Sequence, residues 1–197
     1  MNKELEFALQ ELKASKVIAF PTETVMGLGV VYNDIEAYNL LNKIKHRPED
    51  KPYTMMFSSL EEIKKYALID ERVERVIKEF LPGPLTLLIK GKESLPYHVS
   101  HGSGVIGVRI PANKEALDLL KAINLPLLVP SANRSGEKPA YNDQEVKEIF
   151  KDEIACVIKG ECLSKTPSTI IDFTKEKPVL IRQGAITFEE VMKVYNG

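Results

Sequence analysis

The chain has 197 residues, enough for one large domain or two small ones. Hydrophobic residues make up 44% and charged residues 28%, with a net charge of −1, so a protein basic over its whole surface is excluded and any phosphate or nucleic-acid site must come from a local cluster. No apolar run approaches a membrane span, and Cys156 and Cys162 lack the neighbours of a disulfide framework or a zinc site, so a cytoplasmic protein with no membrane partner and no metal site is expected.

Leu5, Ala8, Leu9 and Leu12 recur at helical spacing over residues 3 to 15. Val17 to Phe20 reads as a buried strand, stopped by Pro21, which fixes φ and has no donor. Thr22, Glu23 and Thr24 follow, then a second apolar run through Tyr32. Asn33 or Asp34 can cap a helix carrying Ala37, Leu40, Leu41 and Ile44, which ends before Pro48. Tyr53 to Phe57 is a short strand. Ser59–Glu62 reads as a capping box, and Asp70 caps the next helix. A rigid Pro82-Gly83-Pro84 turn enters a strand through Ile89, and residues 91 to 104 read as an exposed, lid-like loop. Val105 to Ile110 is a strand, and Asn113 caps a helix. Leu125 to Val129 is a strand that breaks into Pro130-Ser131-Ala132-Asn133-Arg134-Ser135-Gly136. Asn142–Glu145 and Thr187–Glu190 read as further capping boxes. Between them, Ala155–Ile158, Ser168–Phe173 and Pro178–Ile181 are strands with no intervening helix, so antiparallel pairing is expected. The pattern predicts one α/β domain around a mixed sheet.

Gly102-Ser103-Gly104-Val105-Ile106-Gly107 fits G-x-G-x-x-G but precedes a strand instead of opening a helix, and Gly91-Lys92-Glu93 lacks a P-loop's spacing. The basic cluster Lys45, Arg47 and Lys51 suits a polyphosphate, or is a solvated helix end. Read as solvated cations, these residues contribute little to folding, roughly 0–1 kcal/mol each. Ser131, Asn133 and Ser135 directly follow a strand, as phosphate-binding turns and ordinary turns both do. Arg109, between Val108 and Ile110, faces either solvent or a buried partner such as a ligand carboxylate; Arg182 and Ser168 pose the same choice. His98 and His101 read as surface residues. The vocabulary of hydroxyl, amide, lysine and arginine suits electrostatic stabilisation of phosphates better than covalent chemistry.

Taken together, Pro21-Thr22-Glu23-Thr24-Val25-Met26-Gly27-Leu28-Gly29, Lys45-His46-Arg47-Pro48-Glu49-Asp50-Lys51-Pro52, Pro82-Gly83-Pro84-Leu85-Thr86, Val108-Arg109-Ile110-Pro111, Pro130 to Gly136, and Ser168-Thr169-Ile170-Ile171-Asp172 resemble the YrdC/Sua5 family of threonylcarbamoyl-AMP synthases, in the family's order across nearly the whole chain. The resemblance implies a single YrdC-like catalytic domain over residues 1–197, without the second C-terminal domain of longer members: a twisted mixed sheet with flanking helices and a positively charged concave cleft. It implies that L-threonine, bicarbonate and ATP become threonylcarbamoyl-adenylate and pyrophosphate, with Mg²⁺ carried on ATP. The product would serve N6-threonylcarbamoyladenosine formation at position 37 of tRNA, so tRNA itself and downstream threonylcarbamoyl-transferring proteins are implied partners.

By matching position, Thr24, Arg109 and Ser168 would contact threonine. Arg47, Lys51, Ser131, Asn133, Tyr141 and Arg182 would contact ATP, with backbone from Val105, and Lys45 would complete the basic wall opposite the Ser131–Asn133 turn. Lys45, Arg47, Ser131 and Asn133 would carry the catalysis. The chain departs from the family at Met26, usually Tyr, at Met56, where some members have His, and at Gln183 within the Arg182-Gln183-Gly184 segment. These departures are expected to alter the threonine and adenine pockets. The alternatives are an RNA-binding module using the basic cleft and a related adenylating enzyme with another substrate.

Overall fold

The computed structural model describes residues 2–47, 52–164 and 166–197. Asn2 caps α1 (Lys3–Lys13), which buries Ala8, Leu9 and Leu12. The first apolar run forms β1 (Ile18–Phe20) and the second forms β2 (Gly27–Val31), antiparallel to it. The turn between them is closed by a side chain: Thr22 Oγ1 accepts from the N–H groups of Thr24 and Val25, both at 3.2 Å, and donates to the Val25 carbonyl at 2.6 Å. Phe20 then lies across β2, where a Cβ on Gly29 would stand 2.7 Å from its ring.

Asp34 caps α2 (Ile35–Lys45), which ends at His46 in the left-handed conformation. After β3 (Thr54–Met56) come α3 (Leu60–Tyr66), capped by Ser59, and α4 (Glu71–Phe80), capped by Asp70. Then follow β4 (Leu85–Lys90), α5 (Tyr97–Ser100), β5 (Val105–Arg109) and α6 (Lys114–Ile123), capped by Asn113. The chain closes with β6 (Leu127–Leu128), α7 (Asp143–Phe150), β7 (Cys156–Val157), β8 (Thr169–Asp172), β9 (Val179–Arg182) and α8 (Phe188–Asn196). Of the three expected capping boxes, Thr187–Glu190 alone is reciprocal. Glu62 reaches the N–H and hydroxyl of Ser58, and Glu145 reaches the Tyr141 N–H, each one residue short of the cap.

The strands described form one mixed sheet in the order β7-β1-β2-β6-β3-β5-β4-β8-β9, and the chain is a single α/β domain. Two expectations are corrected. The antiparallel pairing expected of the last three strands holds for β8 and β9 alone: β7 pairs parallel with β1, and β8 pairs parallel with β4 on its other side. Residues 91 to 104 are not wholly an exposed loop, because α5 buries Val99 and His98, and His98 Nε2 lies 2.8 Å from the Tyr32 carbonyl oxygen.

Strand alternation sorts the side chains onto two faces. Leu28, Val30, Met55, Leu85, Leu87, Ile106, Val108, Leu128 and Ile171 belong to one large core with α2 to α5, α7 and α8. On the other face, Ile18, Phe20, Val31, Met56, Leu127 and Val129 pack with α1 and α6. Those two helices touch each other, and α1 also touches β1, β2 and β7. The β5-β4-β8-β9 end contributes nothing to this second core, and there the sheet face stays open.

The segment after β9 is pinned by a buried hydroxyl. Thr169 Oγ1 accepts from the N–H of Gly184 at 3.0 Å and of Ile186 at 3.2 Å, and donates to the Ile186 carbonyl. A Cβ on Gly184 would lie 2.3 Å from the Pro167 carbonyl oxygen and 2.4 Å from the Thr169 nitrogen, both rigid backbone. Gly184→Ala is therefore expected to lower stability by about 2–3 kcal/mol, the upper part of the usual overpacking range. A fall in the urea midpoint at unchanged slope measures it.

Candidate active site

A cleft of about 590 Å³ opens on the uncovered half of the sheet, within the size range of small-molecule sites. Its floor comes from alternate residues of the central strands: Thr54 and Met56, Thr86 and Leu88, Arg109, and Ser168 and Ile170. Register explains the convergence, since Met56 stands beside Arg109 across β3–β5 and Thr86 beside Ile170 across β4–β8. Thr22, Thr24 and Val25 form one rim, Pro130, Ser131 and Asn133 a second, and Arg47 with Tyr53 a third. Tyr141, Ile181 and Arg182 complete the walls.

Arg109 is 5% exposed and resolves the choice between solvent and a buried partner in favour of burial. Its Nη2 donates to Thr24 Oγ1 at 2.9 Å and lies 2.8 Å from Glu23 Oε1. Arg182 donates through Nε and Nη2 to the Ser168 carbonyl, at 3.1 and 2.8 Å, and through Nη2 to the Ser168 hydroxyl at 3.0 Å. That hydroxyl lies 3.0 Å from Thr86 Oγ1, so Thr86 belongs to the same network. Burial first, and the Arg109 charge second, push the Arg182 pKa below its ordinary value. Two guanidiniums thus face one cleft and repel, a strain that a bound anion relieves.

Arg47 stacks over the Tyr53 ring, 4.7 Å from its centroid, and donates to the Pro52 carbonyl at 3.3 Å. The Tyr53 hydroxyl donates to Asn42 Oδ1 at 2.5 Å, and burial pushes its pKa well up. Arg47 is therefore aimed by α2 and by the start of β3. Lys51 lies outside the described residues.

Lys45 is not a wall of this cleft. It is 1% exposed, and its Nζ donates to the carbonyls of Ser131 at 2.6 Å and Asn133 at 2.7 Å, with Asn133 Oδ1 at 3.3 Å. The expectation of a solvated cation opposite the Ser131–Asn133 turn is overturned: the ammonium sits behind that turn and holds it. Arg134 adds a second tie, donating to the Ile44 carbonyl at the end of α2, pairing with Glu153 and stacking on Phe150. Asn133 is a brace as well. Its Oδ1 accepts from Ser131 Oγ at 2.6 Å and its Nδ2 donates to the carbonyls of Arg134 and Glu137, at 2.7 and 2.9 Å.

Val105 stands at the far end of β5 from Arg109 and does not line the cleft, and neither does any residue of the 91–104 segment. That segment lines a separate cavity with Gly91, Leu95, Tyr97 and Gly104. Met56 is a cleft residue as expected, but Met26 is fully buried in the large core and Val25 takes the wall position. Both cysteines are free and buried, and burial pushes both thiols up, Cys156 to about 11. The residues that sequence reasoning left without a role are Thr22, Glu23, Tyr53, Thr54 and Thr86. Four of these are hydroxyls, and for Thr54 and Thr86 the signal was alternation against the core positions of their strands.

Two outcomes follow from these placements. Lys45→Met removes a donor from the carbonyls of Ser131 and Asn133; the first keeps the Asn133 N–H, and leaving the second unsatisfied costs about 1–3 kcal/mol. Its pH dependence has a definite sign. Burial, then the Arg47 and Arg134 charges, lower the Lys45 pKa from 10.5 to about 7. Below about 7 the lysine is protonated folded and unfolded, and the cost of its buried charge is fully present. That cost is relieved as pH rises from about 7 toward 10.5, where the unfolded chain binds the extra proton. Wild-type stability measured against Lys45→Met should therefore improve from pH 7 to pH 10 in urea titrations. Separately, Met26→Tyr should overpack the core and cost about 1–3 kcal/mol, read as a lower melting temperature, with substrate affinities unchanged.

Comparison with known proteins agrees with this architecture. The family model Sua5_yciO_yrdC, described as telomere recombination, matches residues 10–184. A Pyrococcus abyssi protein named threonylcarbamoyl-AMP synthase is 37% identical over 193 residues, 97% of this chain and 57% of its own length. The chain thus spans little more than half of that curated relative. The crystal structure of P. abyssi Sua5 complexed with L-threonine superposes with a TM-score of 0.92 at 38% identity, covering 96% of this chain and 56% of that one. The crystal structure of Escherichia coli YciO gives a TM-score of 0.86 at 28% identity, covering 93% of this chain and 90% of that one. With an ordered set of motifs, a mixed sheet open over half of one face and a family model matched over most of its length, this chain belongs to the Sua5/YciO/YrdC family.

Proposed function

We propose that the protein is an L-threonylcarbamoyladenylate synthase, a nucleotidyltransferase of the cytoplasm that joins L-threonine, bicarbonate and ATP and releases pyrophosphate. The observation that carries this reading is the buried Arg109, set beside Thr24 on the floor of a cleft that also holds Arg47 and Arg182. One guanidinium suits an amino-acid carboxylate and the others a polyphosphate. The relative crystallised with L-threonine supports the choice of amino acid.

The chemistry has two bond-forming steps. The threonine nitrogen attacks the carbon of bicarbonate, water is lost and a carbamate forms. A carbamate oxygen then attacks the α-phosphorus of ATP, and the bond to pyrophosphate breaks. Arg109 and Thr24 would fix the amino acid, with the Ser168 hydroxyl, held by Thr86, orienting its carboxylate side. Arg47, together with Lys51, would offset charge developing on the phosphates. Ser131, Asn133 and Tyr141 would line the nucleotide, and Lys45 would act by holding the Ser131–Asn133 turn. Mg²⁺ would arrive on the triphosphate and neutralise part of its charge; among the described residues no three metal-ligating side chains converge. Positioning and exclusion of water would supply much of the rate, since a free carbamate is short-lived in water. The product would pass to proteins that transfer the threonylcarbamoyl group to tRNA.

A second reading is a related adenylating enzyme with another amino or carboxylic acid, since YciO, whose name assigns it no substrate, matches this chain over 90% of its own length. Mass detection of the adenylate separates the two, with serine and glycine run beside threonine. Pyrophosphate release from Mg-ATP should require both threonine and bicarbonate. Arg47→Ala should reduce it about a hundred- to a thousandfold, as loss of one preorganised donor does elsewhere. Arg109→Ala should raise the threonine KM far more than the ATP KM. Turnover indifferent to threonine would defeat the assignment.

A further inference from the structure

Glu23 is a charged group beside the cleft that the proposed reaction leaves without a task. Its side chain is 13% exposed, its Oε1 is in ion-pair contact with Arg109 Nη2 at 2.8 Å, and both carboxylate oxygens are buried. Neither oxygen accepts a hydrogen bond among the described residues, and Arg109 Nε is buried without a partner as well. A carboxylate kept for folding is ordinarily capped by N–H donors, as Glu62, Glu145 and Glu190 are here. Glu23 has no such donors; its charge answers only the guanidinium. Glu23 itself is not a cleft wall, whereas Arg109 is.

We propose that Glu23 is a positioning residue for Arg109. The Pro21–Val25 turn, closed by Thr22, places the Glu23 carboxylate and the Thr24 hydroxyl side by side on Nη2. With that nitrogen occupied, the guanidinium plane is set by the turn, and its remaining donors serve an incoming carboxylate. The carboxylate also lowers the net charge of the buried arginine, so Arg109 is selective for a ligand that can satisfy a fixed fork and is not a general anion trap. Glu23 thus governs amino-acid capture through Arg109, and has no direct part in nucleotide binding. This rests on the threonine assignment of the preceding section.

Two measurements test it. The first needs no substrate: the side-chain ¹⁵Nε–¹H signal of Arg109, assigned by its absence in Arg109→Lys, should be distinct in the wild type and move toward free-arginine values in Glu23→Gln. An unchanged signal would overturn the proposal. The second is a double-mutant cycle read by calorimetry with L-threonine as the titrant. Groups that orient a metal-ligating side chain are worth about 10–100-fold in affinity, and Glu23→Gln should weaken threonine binding on that scale while Mg-ATP affinity holds. Glu23→Asp, which keeps the charge, should recover part of the loss. In an Arg109→Lys background Glu23→Gln should change threonine affinity much less than in the wild type. Equal losses in both backgrounds, or parallel losses of threonine and ATP binding, would show a merely structural role and overturn it. Wild-type protein that ignores threonine while the Arg109 signal responds to Glu23→Gln would sink the substrate assignment and leave the positioning role standing.

Discussion

The site depends on a coverage mismatch. Among the described residues, one face of the nine-stranded sheet is covered along its length by six helices, α2 to α5, α7 and α8, and the other carries α1 and α6 over β7, β1, β2, β6 and the edge of β3 at Met56. A sheet must hide its apolar side chains, so the residues facing the uncovered half cannot be a row of leucines and valines. They are Thr54, Thr86, Ser168 and Arg109, interspersed with Met56, Leu88 and Ile170. The cleft exists because the second layer stops short, and its polarity follows from facing water and ligand.

Electrostatics then turn a groove into a site. Arg47, Arg109 and Arg182 line it, with Glu137 as the only acidic side chain among its described walls. Each arginine is held without being neutralised in the same way. Arg47 rests on an aromatic ring, Arg182 on a carbonyl and a hydroxyl, and Arg109 on a hydroxyl and a carboxylate. Burying such groups costs free energy that a hydrophobic residue would not, and the compensation comes when an anion binds. Preorganised cations facing one cleft are what charge stabilisation during phosphoryl chemistry demands.

Two of the three rims are held in different ways. The Thr22–Val25 rim is a local turn closed by one hydroxyl. The Ser131–Asn133 rim is held from a distance by Lys45 and Arg134, which bind it to the end of α2. Since Arg47 leaves α2 two residues after Lys45, the same helix end fixes the phosphate-facing arginine and the turn beside it. A helix C-terminus favours cations, and here the cations serve the neighbouring loop's carbonyls as well as the helix's own.

Much of this was written in the chain itself. Caps at Asp34, Ser59, Asp70, Asn113, Asn142 and Thr187 marked the helix starts, because a short polar side chain before an apolar period has few other uses. The Leu85–Lys90 and Val105–Arg109 alternation put Thr86 and Arg109 on the face away from the core. The ordered motifs marked the family. What remained undecided needed contacts between distant residues. Periodicity tells which face a side chain takes and not what covers that face, so a lysine ending α2 read as a solvated wall when it is a buried clamp. Met26 was taken for a pocket residue, although Val25 faces the cleft. β7 and β8 follow one another in sequence yet pair with β1 and β4, a choice made by strands more than a hundred and about eighty residues away. Sequence alone put Arg109 in a strand and left open what it faces; only the folded turn at Thr22 brings Glu23 to it, since that turn joins β1 and β2, neither of which is a neighbour of β5 in the sheet.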